Sequence, residues 1–179
     1  MKTCIWPRVT RTGPGGWMPD AGLRDRFWEL PLAELAAPEW EALCDGCGRC
    51  CLIKLEDEDS GTLITSDVRC KLLDGDTCAC TNYPRRKEIV PDCIKLTPQN
   101  VREIPWIPTT CAYRRLAEGK GLAWWHPLVS GDPETVHTAG VSIRGQTISE
   151  LALHEPEDAL AYEAPEWMVE RGTGTRRRR

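Results

Sequence analysis

Apolar residues in this chain come in short bursts separated by Gly, Pro and charge, and no stretch holds a helical or strand period for long. Residues 1–24 read as a flexible arm, because Gly13-Pro14-Gly15-Gly16 can sustain neither helix nor strand. Phe27, Trp28, Leu30 and Leu32 bring in the first apolar anchors. Leu32 to Ala36 allows a helical turn. Pro38 suits the first turn of a second short helix ending near Leu43, where Trp40 and Leu43, three apart, share a face. Leu52-Ile53-Lys54-Leu55 and Thr62-Leu63-Ile64-Thr65 read as outgoing and returning strands. The acidic run Glu56 to Asp59 between them is a solvated tip, or else a set of oxygen ligands for a hard ion. Asp74-Gly75-Asp76 makes a tight turn. Thr97-Pro98 opens a short helix that Pro105 and Pro108 end. Thr109 or Thr110 caps the next, which runs through about Glu118 with Gly119 past its end and Cys111 in its first turn. Val141-Ser142-Ile143-Arg144 alternates like a strand, and Gly145 permits a bulge before Ile148. Residues 150–168 form an acidic, helical segment broken by Pro156 and Pro165, and Gly172 to Arg179 a disordered basic end.

Composition makes this irregularity consistent. The chain has 179 residues, enough for one domain with tails, and contains 14 Pro and 15 Gly. It has eight Trp but one Phe and three Met, and a mean hydropathy of −0.42, so apolar supply for a core is thin. The net charge of −4 gives no reason to expect a nucleic-acid surface. No segment approaches the roughly 20 apolar residues of a membrane span. The apolar residues of the first 16 positions are interrupted by Pro7, Arg8, Arg11 and Pro14, so a signal peptide is not expected and the cytoplasm is the expected location.

The cysteines change the picture. Ten are present, and nine fall between residues 44 and 111: Cys44, Cys47, Cys50, Cys51, Cys70, Cys78, Cys80, Cys93 and Cys111. Cys4 alone lies outside and reads as a free thiol. In a reducing compartment, thiols crowded this way hold metal or do redox work rather than form a disulfide framework. Geometry agrees for Cys50 and Cys51. Neighbouring Cα atoms are about 3.8 Å apart, below the usual disulfide range, so the pair could bond only as a strained ring. Gly46 and Gly48 favour a loop that turns backbone N–H groups toward sulfur, as a metal knuckle needs. Adjacent side chains diverge, so Cys50 and Cys51 serve two ions, or one of them bridges.

The nine thiols could fill two four-cysteine zinc sites with one left over, or a binuclear centre. They lack the two separated Cys-x2-Cys knuckles of a zinc ribbon. Cys44-x2-Cys47-x2-Cys50 also matches the start of a bacterial ferredoxin run, but the x3-Cys-Pro continuation is absent, and a fourth ligand would come from Cys93 or Cys111. Soft thiolate ligands suit zinc and iron–sulfur alike. Tyr83-Pro84-Arg85-Arg86-Lys87 either compensates thiolate charge or is a basic surface turn. His126, in Trp124-Trp125-His126-Pro127, reads as a core histidine, with a nitrogen ligand or proton shuttle as the alternative.

Asp45-Gly46-Cys47-Gly48-Arg49-Cys50-Cys51 resembles the signature of the CxxCxxCC cysteine-cluster family, a zinc- or iron-chelating domain. Glu56 to Asp59, Cys78 to Tyr83, Pro91 to Thr97, Thr110 to Arg114, Leu116 to Gly119, Trp125 to Pro127 and Val141 to Gly145 resemble its bacterial YcgN-type subfamily, UPF0260, over about residues 25–149. The resemblance implies metal chelation. The expected molecule is thus a small, largely irregular α+β domain over residues 25–168. It is stapled by metal and has short helices and short antiparallel strands, with an arm at 1–24 and a basic tail at 169–179. Its expected function is metal binding, with zinc or iron, possibly as an iron–sulfur cluster, drawn from the nine thiols. The alternative is a redox or metal-dependent enzyme with an iron centre. The expected partner is the metal ion, with neither membrane nor nucleic acid.

Overall fold

The computed structural model describes residues 22–57, 59–166 and 168. Most of the expected arm, Cys4 with it, and the basic tail from 169 lie outside the described residues. Among the described residues there are five short α-helices and one three-stranded sheet, with 3-10 turns and loops between them. The fold is a small α+β domain, as expected.

Helix α1 (Ala37–Glu41) carries Pro38 in its first turn. The Glu39 carboxylate accepts the Ala36 N–H at 2.9 Å and so closes the helix start. Arg24 donates to the same carboxylate through Nε (2.7 Å) and Nη2 (2.6 Å), which ties residue 24 to the domain. Leu43 is fully buried, and Trp40 stacks at a tilt on Tyr113 with ring centroids 4.7 Å apart.

Strands β1 (Leu52–Glu56) and β2 (Leu63–Arg69) pair antiparallel, with Leu55 opposite Ile64 and Leu52 opposite Arg69. The register shifts between Leu52 and Lys54. At this bulge the buried Ser66 hydroxyl donates to Ile53 O at 3.0 Å, supplying a bond that the ladder loses. Strand β3 (Ile148–Ser149) then pairs with Val68–Arg69 in parallel, so the sheet is mixed rather than purely antiparallel. The acidic C-terminal segment forms 3-10 turns at Glu150–Ala152 and Pro156–Ala161. It then lies along β2, where Asp67 N donates to Tyr162 O and Ala164 N to Thr65 O.

Two expected elements take other forms. Residues 97–103 make turns, not a helix. The Thr97 N–H bonds to the Asn100 side chain (2.8 Å), and Asn100 Nδ2 donates back to Lys95 O (3.0 Å). These local side-chain bonds compete with helix propagation. Val141–Arg144 is not a strand. Val141, Ser142 and Ile143 are all buried, so burial does not alternate as a strand's would, and the segment bonds to the cysteine loop, where Ile143 N donates to Cys47 O at 3.0 Å. Helix α2 (Arg86–Ile89) follows a 3-10 turn at Tyr83–Arg85, and α3 (Ala112–Ala117) ends before Gly119 at φ 72°. Cys111 itself, not Thr109 or Thr110, stands at the N-terminal boundary of α3, and no side chain caps it. Helices α4 (Pro127–Ser130) and α5 (Thr135–Thr138) complete the set.

The thin apolar supply is spent in three small cores. Phe27, Leu43, Val101, Ile107 and Tyr113 centre the first; Leu52, Leu73, Cys78, Ile143 and Met168 the second; Cys47, Trp125, Val136 and Val141 the third. The Cys44–Cys51 loop touches all of them, through Cys44, Cys51 and Cys47 respectively. Among the described residues no helix is long and apolar enough to cross a membrane.

Candidate metal centre

The loop is shaped by its short and flexible residues. Asp45 Oδ1 accepts the Cys47 N–H at 3.1 Å, turning the chain over Gly46. Gly48 sits at φ 78°, in the left-handed region, and a Cβ there would stand 2.9 Å from Ile143 Cγ1. A 3-10 turn, Arg49–Cys51, then presents the vicinal cysteines and feeds β1. The loop is therefore irregular, as its glycines predict.

Behind it lies Arg49, a residue that cysteine spacing does not point to. The residue is 2% exposed. Nε donates to Val141 O at 2.7 Å and Nη1 to the buried Thr110 hydroxyl at 3.4 Å. Arg49 thus stitches the loop to the segment entering α3, next to Cys111. Burial lowers its proton affinity, while Cys47 and Asp45 hold the charge in place. The signal for it was a lone cation inside a cysteine- and glycine-rich loop. Lys54, on β1, is a second cation missed from the sequence. Its ammonium donates to Leu52 O (2.8 Å) and Cys50 O (3.3 Å) and lies 4.4 Å from the Trp106 ring centroid.

All nine cysteines from 44 to 111 are free thiols. Cys47 and Cys78 are buried, Cys50 is exposed, and the others are part-buried. The Cys50 and Cys51 sulfurs are 3.9 Å apart. Burial pushes Cys44 and Cys47 well above the ordinary thiol range, and Cys111 up to about 12. Cys50 moves the other way, to about 7, because the Cys51 thiol donates to it and the Lys54 ammonium lies nearby. Cys44, Cys47, Cys50 and Cys111 act on one another's charge, so they share one neighbourhood with Asp45. Cys93 and Cys80 act on Cys70, Cys80 and Cys50 on Cys93, and Cys50, Cys44 and Cys70 on Cys51, so these thiols adjoin the same neighbourhood. The donor chemistry fits a soft cation. Among the described residues, no three His, Cys, Asp or Glu side chains already stand in ligand positions around a single point.

The other candidates fall away from this centre. His126 is 2% exposed and both ring nitrogens are engaged. Nδ1 accepts the Leu128 N–H at 3.1 Å, so Nε2 carries the proton and donates to Leu43 O at 3.0 Å. It is a neutral core histidine that pins α4 to the residue before Cys44. The acidic tip holds a turn: Asp57 Oδ1 accepts from Ser60 N and Oγ, both at 2.7 Å. Arg86 lies over the Tyr83 ring, 3.8 Å from its centroid, and acts on Cys93. A cleft lined by Trp28, Leu30, Pro98, Arg102 and Leu122 contains none of the nine thiols.

Comparison with known proteins fits this arrangement. The family CxxCxxCC, described as "Putative zinc- or iron-chelating domain", matches residues 43–112, which hold all nine thiols. A UPF0260 protein of Caulobacter vibrioides is 57% identical over 150 residues, covering 83% of this chain and 93% of the relative. The chain belongs to the UPF0260 family. Another UPF0260 protein, from Rhizobium etli, is 62% identical over 137 residues, 76% of this chain and 86% of the relative. A third, from Rhodopseudomonas palustris, is 57% identical over 138 residues, covering 75% and 81%. No solved structure matches this UPF0260 chain.

Proposed function

We propose that this protein chelates zinc or iron through the thiols of its cysteine cluster, with Cys44, Cys47, Cys50, Cys51, Cys70, Cys78, Cys80, Cys93 and Cys111 as the ligand pool. The observation that carries it is the state of the loop. Four mutually interacting thiols, none bonded to another cysteine, lie where three small cores meet, with Arg49 and Lys54 beside them. Thiols need to lose protons to bind metal, and a cation does for them what burial alone opposes. Three or four thiolates around a divalent ion leave negative charge, which a buried guanidinium and a nearby ammonium offset. A bound zinc would act as a staple; an iron centre would add electron transfer. His126 offers neither a free lone pair nor a proton to pass on without breaking a backbone contact, so it favours neither the ligand nor the proton-shuttle role. A reducing cytoplasm is the compartment in which such thiols stay free.

The test is elemental analysis and an absorption spectrum of protein purified without oxygen. A colourless protein with stoichiometric zinc, or a brown one with iron and labile sulfide, supports chelation and names the metal. Protein that carries no metal and takes up neither ion under reducing conditions contradicts it.

A further inference from the structure

Metal chelation leaves one large feature of the molecule unused. A cleft of about 960 Å³ opens between residues 26–33 and residues 98–129, and none of the nine thiols lines it. Its size is that of a small-molecule site. We propose that this cleft binds the free anion of a fatty acid, with the chain lying between Trp28, Leu30, Leu116, Leu122 and Val129 and the carboxylate meeting Arg102.

The walls are apolar and held in place. Trp28, Leu30, Leu116 and Leu122 line the cleft and also pack on the core around Phe27 and Ile107. Trp28 stands edge-on to Phe27, with ring centroids 5.4 Å apart. Val129, on α4, lines the cleft and is 50% exposed. Gly119 and Gly121 border it at φ 72° and 67°, and a Cβ on either would meet nothing within 4 Å. The backbone there is open to close approach by a ligand. Apolar side chains gathered along a recess are stabilised when an apolar chain covers them.

Charge chooses the headgroup. Three charged side chains line the cleft: Arg26, Glu29 and Arg102. Arg26 and Glu29 form an ion pair and satisfy each other. Arg102 has no carboxylate within ion-pair distance among the described residues. Glu118, just past α3, is taken by Arg114 at 2.8 Å and Lys120 at 2.6 Å. The Arg102 Nη2 donates to Ala117 O, the last carbonyl of α3, at 2.8 Å. That bond holds the guanidinium at the cleft and uses one of its five N–H donors. A guanidinium pairs with a carboxylate through two parallel bonds. One unpaired cation beside apolar walls matches one negative charge on an apolar chain. A neutral chain would leave Arg102 unmatched, and a phosphate would leave the walls uncovered.

Calorimetric titration of the full-length protein with decanoate, kept below its micelle concentration, tests the assignment. A single saturable site is expected. Decanol, which has the chain without the charge, and acetate, which has the charge without the chain, are each expected to bind about tenfold more weakly or less. Arg102→Glu removes the cation, and Val129→Glu sets a carboxylate among the walls; each is expected to weaken decanoate by about tenfold or more. Arg85→Glu makes the same charge change outside the cleft and is expected to bind as wild type does. Circular dichroism checks that each variant is folded, and Arg102→Gln stands in if Arg102→Glu is not. Absence of saturable decanoate binding overturns the proposal. So does decanol bound as tightly as decanoate, or unchanged decanoate affinity in both cleft variants. The metal content of these variants is expected to equal that of wild type, so the outcome is separate from that of chelation.

Discussion

At the residue scale, two buried charges do separate jobs. Glu39 is 2% exposed and receives two side-chain bonds and one backbone bond from Arg24, besides the Ala36 N–H. These contacts, Arg24 first, bring its proton affinity down from the ordinary 4.5 to about 2. A carboxylate held below its unfolded value stabilises the fold above that value, and the benefit fades as pH falls through the folded one. Glu39→Gln is therefore expected to melt at lower temperature than wild type at pH 7. The two melting curves are expected to converge between pH 4.5 and 2; a constant gap across that range would rule the linkage out. Arg49 acts by geometry. Its planar fork reaches Val141 and Thr110 from one position, and a lysine ammonium cannot do both. Arg49→Lys is expected to lose about 2–4 kcal/mol in urea unfolding, from broken buried bonds and a poorly solvated charge. A loss below about 0.5 kcal/mol would show that the stitch to the α3 segment is dispensable. Neither residue's role was legible in the sequence, because both depend on contacts fifteen or more positions away.

At the element scale, short-range chemistry was readable and long-range pairing was not. Pro38 starting α1, the hairpin of β1 and β2, the Asp74 turn and the left-handed Gly119 after α3 all follow from local preference. Val141–Arg144 shows the limit. The apolar/polar alternation there suggested a strand, but Ser142 is buried along with Val141 and Ile143, because the segment packs against the cysteine loop and bonds to it. The parallel partner β3 was equally hidden, since only two residues pair. Glycines give an element-scale prediction. Gly48 and Gly119 share a positive φ, so alanine costs about 1 kcal/mol of backbone strain at either. Only at Gly48 does the new Cβ meet a packed side chain, Ile143 at 2.9 Å. Gly48→Ala is therefore expected to cost about 2–3 kcal/mol, against about 1 for Gly119→Ala, both measured by denaturant unfolding. Equal costs would mean that the loop is free to move away from Ile143.

At the scale of the whole molecule, three small cores converge on one loop. The density of cysteines was plain in the sequence; that the loop is also the structural junction was not, because it depends on how residues 101–113 and 123–143 return to it. A chain with so little apolar mass gains much from a staple at that point. Structural zinc can add on the order of 10 kcal/mol, as much as a typical domain's net stability. Adding a strong chelator is therefore expected to lower the melting temperature by more than 10 °C and to speed amide exchange first around residues 44–51; unchanged melting would remove the staple role. The most direct measurement is X-ray absorption at the metal edge of the loaded protein. The account predicts a first shell of sulfur, at about 2.3 Å if the metal is zinc. A first shell of oxygen and nitrogen without sulfur would contradict it.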